Sequence, residues 1–231
     1  QQLFALVGEL PDNPSTSSAT VGKDYLLYVN TGAVDVPLWS MIGGQRSASL
    51  GMSADEIDVA SKSSGGWSAK LQGLKSWSVD LDGLLLLKDD GIEALRRAFN
   101  QSKQVNIKLR YPDNSYQIGW ASITDFSSEA PHDGEATLKG TLNGVGPISN
   151  IAVTVSKAAV TDQIFYFEGS ALATAVSTGA ARVLASNYDA TVEGELTIKG
   201  TYLSTLTVGE LLFYVDLSIG GQALVAVRLA A

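Results

Sequence analysis

Short segments in which every second residue is apolar are the feature that most limits the folds open to this chain. Leu27 and Val29, Trp77 and Val79 are two such pairs, and further alternating segments cover residues 47–52, 105–110 and 116–120. A period of two is typical of half-buried β-strands, and turn-forming residues separate the segments. The sequence therefore predicts a mainly β fold.

One segment has the period of a helix. Ile92, Leu95 and Phe99 follow one another at i, i+3 and i+7, which places them on one helical face. An aspartate at position 89 or 90 would cap the N-terminus and complement the helix dipole. We therefore predict a helix over about residues 89–100 that packs this face against the sheet.

Residues 53–74 interrupt the alternating pattern. Connections longer than about 12–15 residues are uncommon in compact domains and are usually functional or disordered. A disordered linker would not normally carry this many large apolar side chains, so we expect a long loop that becomes ordered against another surface. Trp67 is either an aromatic anchor between protomers or packs on its own domain. The candidate contact residues of this loop are Asp55, Ile57, Val59, Trp67 and Leu71.

A glycine-rich stretch at residues 144–147 predicts a boundary. All four tryptophans precede it, and the chain beyond it is rich in Ala, Val, Thr and Leu. Strand-like segments at near-regular spacing after the boundary favour a small β-sandwich. These segments are Ile151–Ser156, Gln163–Glu168, Thr191–Lys199, Leu211–Ser218 and Gln222–Arg228. We therefore expect an N-terminal arm over 1–20, a first domain over 21–147 and a second over 148–231.

Composition argues against an enzyme. The 231 residues include no cysteine and a single histidine, His132, so thiol nucleophiles, disulfides and two-histidine metal sites are excluded. Asp80 and Asp82 lie on one strand face between serines, where solvated carboxylates lack the contrasting environments that acid–base catalysis requires. The net charge of −8 makes the chain a poor ligand for nucleic acid. We therefore expect no catalytic residues, no metal and no cofactor.

An ordered series of motifs then carries a family resemblance over about residues 20–147. Together they resemble the major tail protein family of long-tailed bacteriophages. The motifs are Ile42-Gly43-Gly44-Gln45-Arg46-Ser47-Ala48-Ser49-Leu50, Ser53-Ala54-Asp55-Glu56-Ile57-Asp58-Val59, Ser64-Gly65-Gly66-Trp67 and Gly73-Leu74-Lys75-Ser76-Trp77-Ser78.

The resemblance implies a tail tube subunit with a β-sandwich or barrel-like domain and one helix at its flank. Such subunits form rings, typically hexamers, that stack around a tape-measure protein. Partners would include the tail terminator and distal tail proteins, and the location would be the virion after assembly in the host cytoplasm. The loop at 53–74 would reach a neighbouring subunit or ring. Asp80 and Asp82 are candidate lumen-facing acids, because a negative lumen repels phosphate and lets DNA pass without specific binding.

A second resemblance covers about residues 186–217, which are similar to the X2 immunoglobulin-like module of bacterial surface proteins. It implies an outward-facing domain over 148–231 with weak contact to host-surface glycans. The alternative function is therefore an extracellular or surface protein that binds glycans. Electron microscopy of the purified protein separates the two, because only a tube subunit forms stacked rings.

Overall fold

The fold comes from a computed structural model that describes residues 22–231, except 35, 61–64, 66, 168–170, 180 and 220. The predicted arm over residues 1–20 lies outside the described residues. The described chain is mainly β, as its alternating pattern predicts. No helix within the described residues is long and apolar enough to cross a membrane.

Seven antiparallel strands form the sheet of the N-terminal region, which we define as residues 22–148. In chain order the strands are β1 (Leu26–Asn30), β2 (Trp39–Met41), β3 (Gln45–Asp58), β4 (Lys70–Leu84), β5 (Val105–Arg110), β6 (Tyr116–Glu129) and β7 (Thr137–Ile148). Their order across the sheet is β2-β1-β5-β6-β7-β4-β3. The Gln45 side chain at the start of β3 bonds both backbone groups of Leu27 in β1, at 2.8 Å each. The two ends of the sheet therefore curl toward each other around one core.

Helix α1 (Asp90–Asn100) packs on that core. The Asp89 carboxylate accepts the Ile92 N–H at 2.9 Å, so Asp89 is the cap, one of the two aspartates that the sequence leaves open for this role. Ile92 and Leu95 are buried in the core. Phe99 is 44% exposed and stacks on Phe126, so the apolar stripe is buried over its first turns and partly open at its end.

Two further sheets make up the C-terminal region, which we define as residues 149–231. The strands are β8 (Val153–Ser156), β9 (Gln163–Tyr166), β10 (Ala173–Thr178), β11 (Ala181–Arg182), β12 (Tyr188–Asp189), β13 (Glu195–Ile198), β14 (Gly209–Leu217) and β15 (Gln222–Ala230). One sheet has the order β11-β10-β14-β15-β8, the other β12-β13-β9, and a short helix α2 (Gly200–Leu203) follows β13. Side chains from both sheets share one apolar core. The boundary near residue 147 and the immunoglobulin-like assignment stay predictions.

The two regions are tightly joined. The buried Tyr116 hydroxyl on β6 donates to the carbonyl of Val227 at 2.9 Å and faces that of Leu211 at 3.2 Å. Lys108 on β5 forms an ion pair with Glu210 at 2.7 Å and lies over the rings of three aromatic residues. Burial lowers the pKa of Lys108, an effect that Glu210 partly offsets. The C-terminal region is therefore docked on the N-terminal region.

The prediction of a long loop over 53–74 is wrong at both of its ends. Strand β3 continues to Asp58 and β4 begins at Lys70, so residues 53–58 and 70–74 belong to the two strands of a β-hairpin. Both faces of these strand ends are exposed, and a strand with two exposed faces has no reason to alternate apolar and polar residues. The Ser63-Ser64-Gly65-Gly66 centre lies mostly outside the described residues.

Candidate assembly surface

The hairpin of β3 and β4 extends beyond the rest of the sheet. Strand β4 pairs with β3 along nearly its whole length, but only its later part, Ser78–Leu84, also pairs with β7 on the other side. Among the described residues no third strand covers this part, which we call the distal hairpin (residues 54–59 and 67–75). A two-stranded ribbon is marginally stable by itself in water. The distal hairpin therefore has the geometry of an element that completes its packing on another molecule.

Polar contacts across the ribbon hold it in register. Lys70 forms an ion pair with Glu56, and the hydroxyls of Ser53 and Ser76 lie 2.8 Å apart. The Val59 N–H donates to the carbonyl of Ala69 at 2.9 Å, beyond the last paired residues of the strands. A register shift between Ala54 and Glu56 bends the ladder at the base of the distal hairpin.

Large apolar side chains of the distal hairpin are exposed. Ile57 and Leu71 lie directly opposite each other in the ladder, and they are 50% and 59% exposed. Trp67 and Leu74 are each 82% exposed, while Val59 is 44% exposed. An apolar patch with a polar rim marks an interaction site in a soluble protein.

The structure brings the five predicted contact residues together on this one element. Asp55 is exposed at the base of the distal hairpin, where a side chain at Gly73 across the ladder would collide with it. Sequence reasoning did not place Leu74 among the contact residues, although it is as exposed as Trp67. Leu74 lies three residues before Trp77, and its large apolar side chain in the same segment as Ile57 and Trp67 was the available signal.

Asp80 and Asp82 lie on the outer face of the sheet, opposite the buried Trp77, Val79 and Leu81. The Asp80 carboxylate accepts the Thr141 hydroxyl at 2.8 Å. Rows of neighbouring residues across β3, β4, β7 and β6 make this face almost entirely polar. The rows are Gly51-Ser78-Asn143-Ser122, Ser49-Asp80-Thr141-Asp125 and Ser47-Asp82-Lys139-Ser127. Three carboxylates against one lysine give this polar face a negative charge.

An exposed ion pair lies at the edge of the polar face. Arg46 on β3 forms paired hydrogen bonds with the carboxylate of Glu135. These bonds lower the pKa of Glu135 and raise that of Arg46, to which Asp82 adds a smaller electrostatic contribution. Bidentate pairs of this kind fix geometry as well as charge.

Other polar candidates form no reactive site. The His132 imidazole is fully exposed beside Asp133, with 3.6 Å between the nearest nitrogen and oxygen. No group of three or more potential ligands within the described residues could hold a metal ion. Within the described residues, the exposed apolar ribbon and the polar face are surface features that suit a structural protein built from several copies.

Comparisons with known proteins identify the family. A family model described as the phage tail tube protein matches residues 19–150. A chain of the native gene transfer agent virion is 27% identical, with a TM-score of 0.51 over 57% of this chain and 98% of that chain. A chain of the empty gene transfer agent tail, refined with C6 symmetry, is 27% identical with a TM-score of 0.52, over 58% and 100% respectively. No curated protein matches the chain.

Because the family model covers more than half of the chain, the protein belongs to the phage tail tube protein family. It is a major tail tube structural protein and a virion component, and its family is not an enzyme family. The predicted resemblance over residues 20–147 is thereby confirmed.

Proposed function

We propose that this protein forms six-membered rings that stack into the DNA-conducting tube of a phage tail, with the distal hairpin as the contact between copies. The observation that carries the proposal is the set of exposed apolar side chains on a ribbon that no third strand in the described part of the chain covers. The C6 symmetry of the similar gene transfer agent tail supports the ring number. A tape-measure protein, tail terminator and distal tail proteins, and assembly in the host cytoplasm, belong to the same proposal.

The polar face around Asp80 and Asp82 lines the lumen in this proposal. Its carboxylates repel the phosphate backbone, and its serine and threonine hydroxyls keep the wall hydrated without a cationic patch. DNA then moves through the tube without being retained.

The C-terminal region lies on the outside of the tube in this proposal. It packs on the part of the curled sheet that contains Lys108 and Tyr116, whereas the polar face lies on the part formed by β4 and β7. Because the sheet curls around one core, the outer surfaces of these two parts point in different directions. Contact with host-surface glycans would then be a further role of residues 148–231.

Negative-stain microscopy of the concentrated protein tests assembly. The wild type should form stacked rings or tubes. A variant in which Asn-Gly replaces residues 59–69 keeps the pairing up to Asp58 and Lys70, so it should stay folded and unassembled. A matched variant with Gly-Ser at the exposed residues 132–133 should assemble normally. A strictly monomeric wild type that binds cell-wall polysaccharide would refute the proposal in favour of the glycan-binding alternative.

Charge reversal tests the lumen assignment. Tubes with the substitutions Asp80→Lys and Asp82→Lys should retain short duplex DNA at low salt and release it as salt is raised. The wild type and Asp133→Lys tubes should retain none. Equal retention by the Asp133→Lys tubes would place the polar face away from the lumen.

A further inference from the structure

Lys108 is the only charged residue that is buried among the described residues. Its ammonium nitrogen lies 4.8, 5.1 and 5.9 Å from the ring centroids of Trp39, Tyr28 and Tyr116. All three rings belong to the N-terminal region, so this region alone surrounds the cation with aromatic side chains. We call these four residues the lysine cage. The faces of aromatic rings are negative and attract cations.

The lysine cage leaves the counter-charge to the C-terminal region. Glu210 at the start of β14 pairs with Lys108, with 2.7 Å between Oε2 and Nζ. The pair is unevenly buried, because 6% of the Lys108 side chain is exposed against 34% of the Glu210 side chain. Burial lowers the pKa of Lys108 more than Glu210 raises it, so the charged lysine is disfavoured at this position. The ion pair is therefore weak evidence for stability.

The other contacts between the two regions define the docked position poorly. Ile118 on β6 packs in one apolar cluster with Ala226 and Leu212 of the C-terminal region. Hydrophobic burial of this kind is non-directional. The Tyr116 hydroxyl and the Arg228 guanidinium bond only backbone carbonyls, which every residue of a strand offers. Most of these interactions could form again after the C-terminal region had shifted along β14.

The ion pair distinguishes one register of β14 from the next. Side chains alternate in direction along a strand, so Leu212 and Tyr214 follow Glu210 on one face. All three line the cleft between the regions. A shift by two residues would place Leu212 beside the lysine cage and leave the buried ammonium without a carboxylate. Loss of one partner of a buried pair is strongly destabilising even where the intact pair adds little.

We propose that Lys108 is a positioning residue, whose lysine cage selects the Glu210 carboxylate and so fixes one register and orientation of the C-terminal region. The N-terminal region presents a site for a single carboxylate, and β14 supplies that carboxylate. The inference goes beyond the proposed function, because the contact lies within one chain and needs no assembly. It predicts that the pair determines the orientation of docking and not its strength.

Single substitutions test the energetic part on the full chain, at concentrations below assembly. Lys108→Met replaces the cation with an apolar side chain of similar length, so the unfolding temperature should stay unchanged or rise. Glu210→Leu leaves the ammonium without its acceptor, so the unfolding temperature should fall by about 5–10 °C. Equal falls for the two variants, or failure of Lys108→Met to fold, would reveal an ordinary stabilising ion pair and overturn the inference.

Distances between spin labels test the positioning part, since the cysteine-free chain accepts one label on each region. The labels are attached at the exposed positions Ser128→Cys and Thr201→Cys. The otherwise wild-type chain should give one narrow distance distribution, and Lys108→Met should give a wider one or a second maximum. Lys157→Met is the matched control, because this exposed lysine bonds the Leu206 carbonyl within its own region. A distribution that stays narrow in Lys108→Met would contradict the positioning role.

A charge exchange separates the lysine cage from simple attraction. The double variant Lys108→Glu, Glu210→Lys keeps opposite charges but places a carboxylate over ring faces that favour a cation. It should keep a broad distance distribution and a lowered unfolding temperature. Full recovery of both wild-type values would show that attraction alone sets the register, and the role of the cage would be refuted. None of these measurements requires rings, so their outcome is distinguishable from a failure of the proposed function.

Discussion

Replacement of Leu74 by serine tests the energetic role of the distal hairpin. Full burial of a leucine side chain contributes about 1.5–3 kcal/mol, and Leu74 is 82% exposed in the free subunit. Burial of that exposed fraction between copies therefore contributes about 1.2–2.5 kcal/mol per contact. At about 1.4 kcal/mol per factor of ten, Leu74→Ser should raise the critical concentration for assembly about 7- to 60-fold.

The assay is sedimentation of assembled tubes across a series of protein concentrations. Leu87→Ser is the matched control, because Leu87 has the same exposed fraction but lies between β4 and α1. Both variants should unfold at the wild-type temperature, since neither side chain is buried in the free subunit. An unchanged critical concentration for Leu74→Ser, or an equal rise for Leu87→Ser, would refute the reasoning.

Two further predictions concern the subunit itself. Gly144→Ala should lower the free energy of unfolding by about 1–3 kcal/mol in urea titrations, because its methyl group would collide with the Trp77 indole. Gly140→Ala on the same strand meets only ordinary contacts and should change it little, so equal losses would contradict this packing argument. The hydrogen bonds from Arg46 hold the pKa of Glu135 in the folded chain below its ordinary value of 4.5. The pair therefore stabilises the folded chain at pH values above 4.5, and this contribution is lost as pH falls through the lower folded pKa. The stability difference between wild type and Glu135→Gln should therefore shrink on acidification; a difference independent of pH would show that the Arg46 pair contributes nothing.

The strand pattern was readable from the sequence wherever one face of the sheet is buried. Leu27 and Val29, or Trp77, Val79 and Leu81, alternate because each second side chain enters the core. Strand β2 is short, since only Trp39–Met41 pair with β1. Strands β10, β11 and β12 went unpredicted in an alanine-rich segment, where small side chains carry a weak hydrophobic period.

The candidate site was predictable only in part. An apolar segment inside a polar connection indicated a contact element, and the residues named for it lie on the distal hairpin. The burial of Asn106 and Lys108 had no sequence signal, because both alternate with apolar residues like any polar strand position. Their burial arises from the C-terminal region, whose Glu210 pairs with Lys108 and which covers this face of β5.

By itself, the sequence determined the mainly β class, the helix with an aspartate cap, the absence of thiol chemistry and the tail tube family. Each of these depends on local periodicity, composition or a linear series of motifs. Only the tertiary structure decided that the sheet curls around its core, that no third strand of the described residues covers the distal hairpin, and that Lys108 and Tyr116 join the two regions. Those features depend on contacts between residues up to 111 positions apart, which no local pattern encodes.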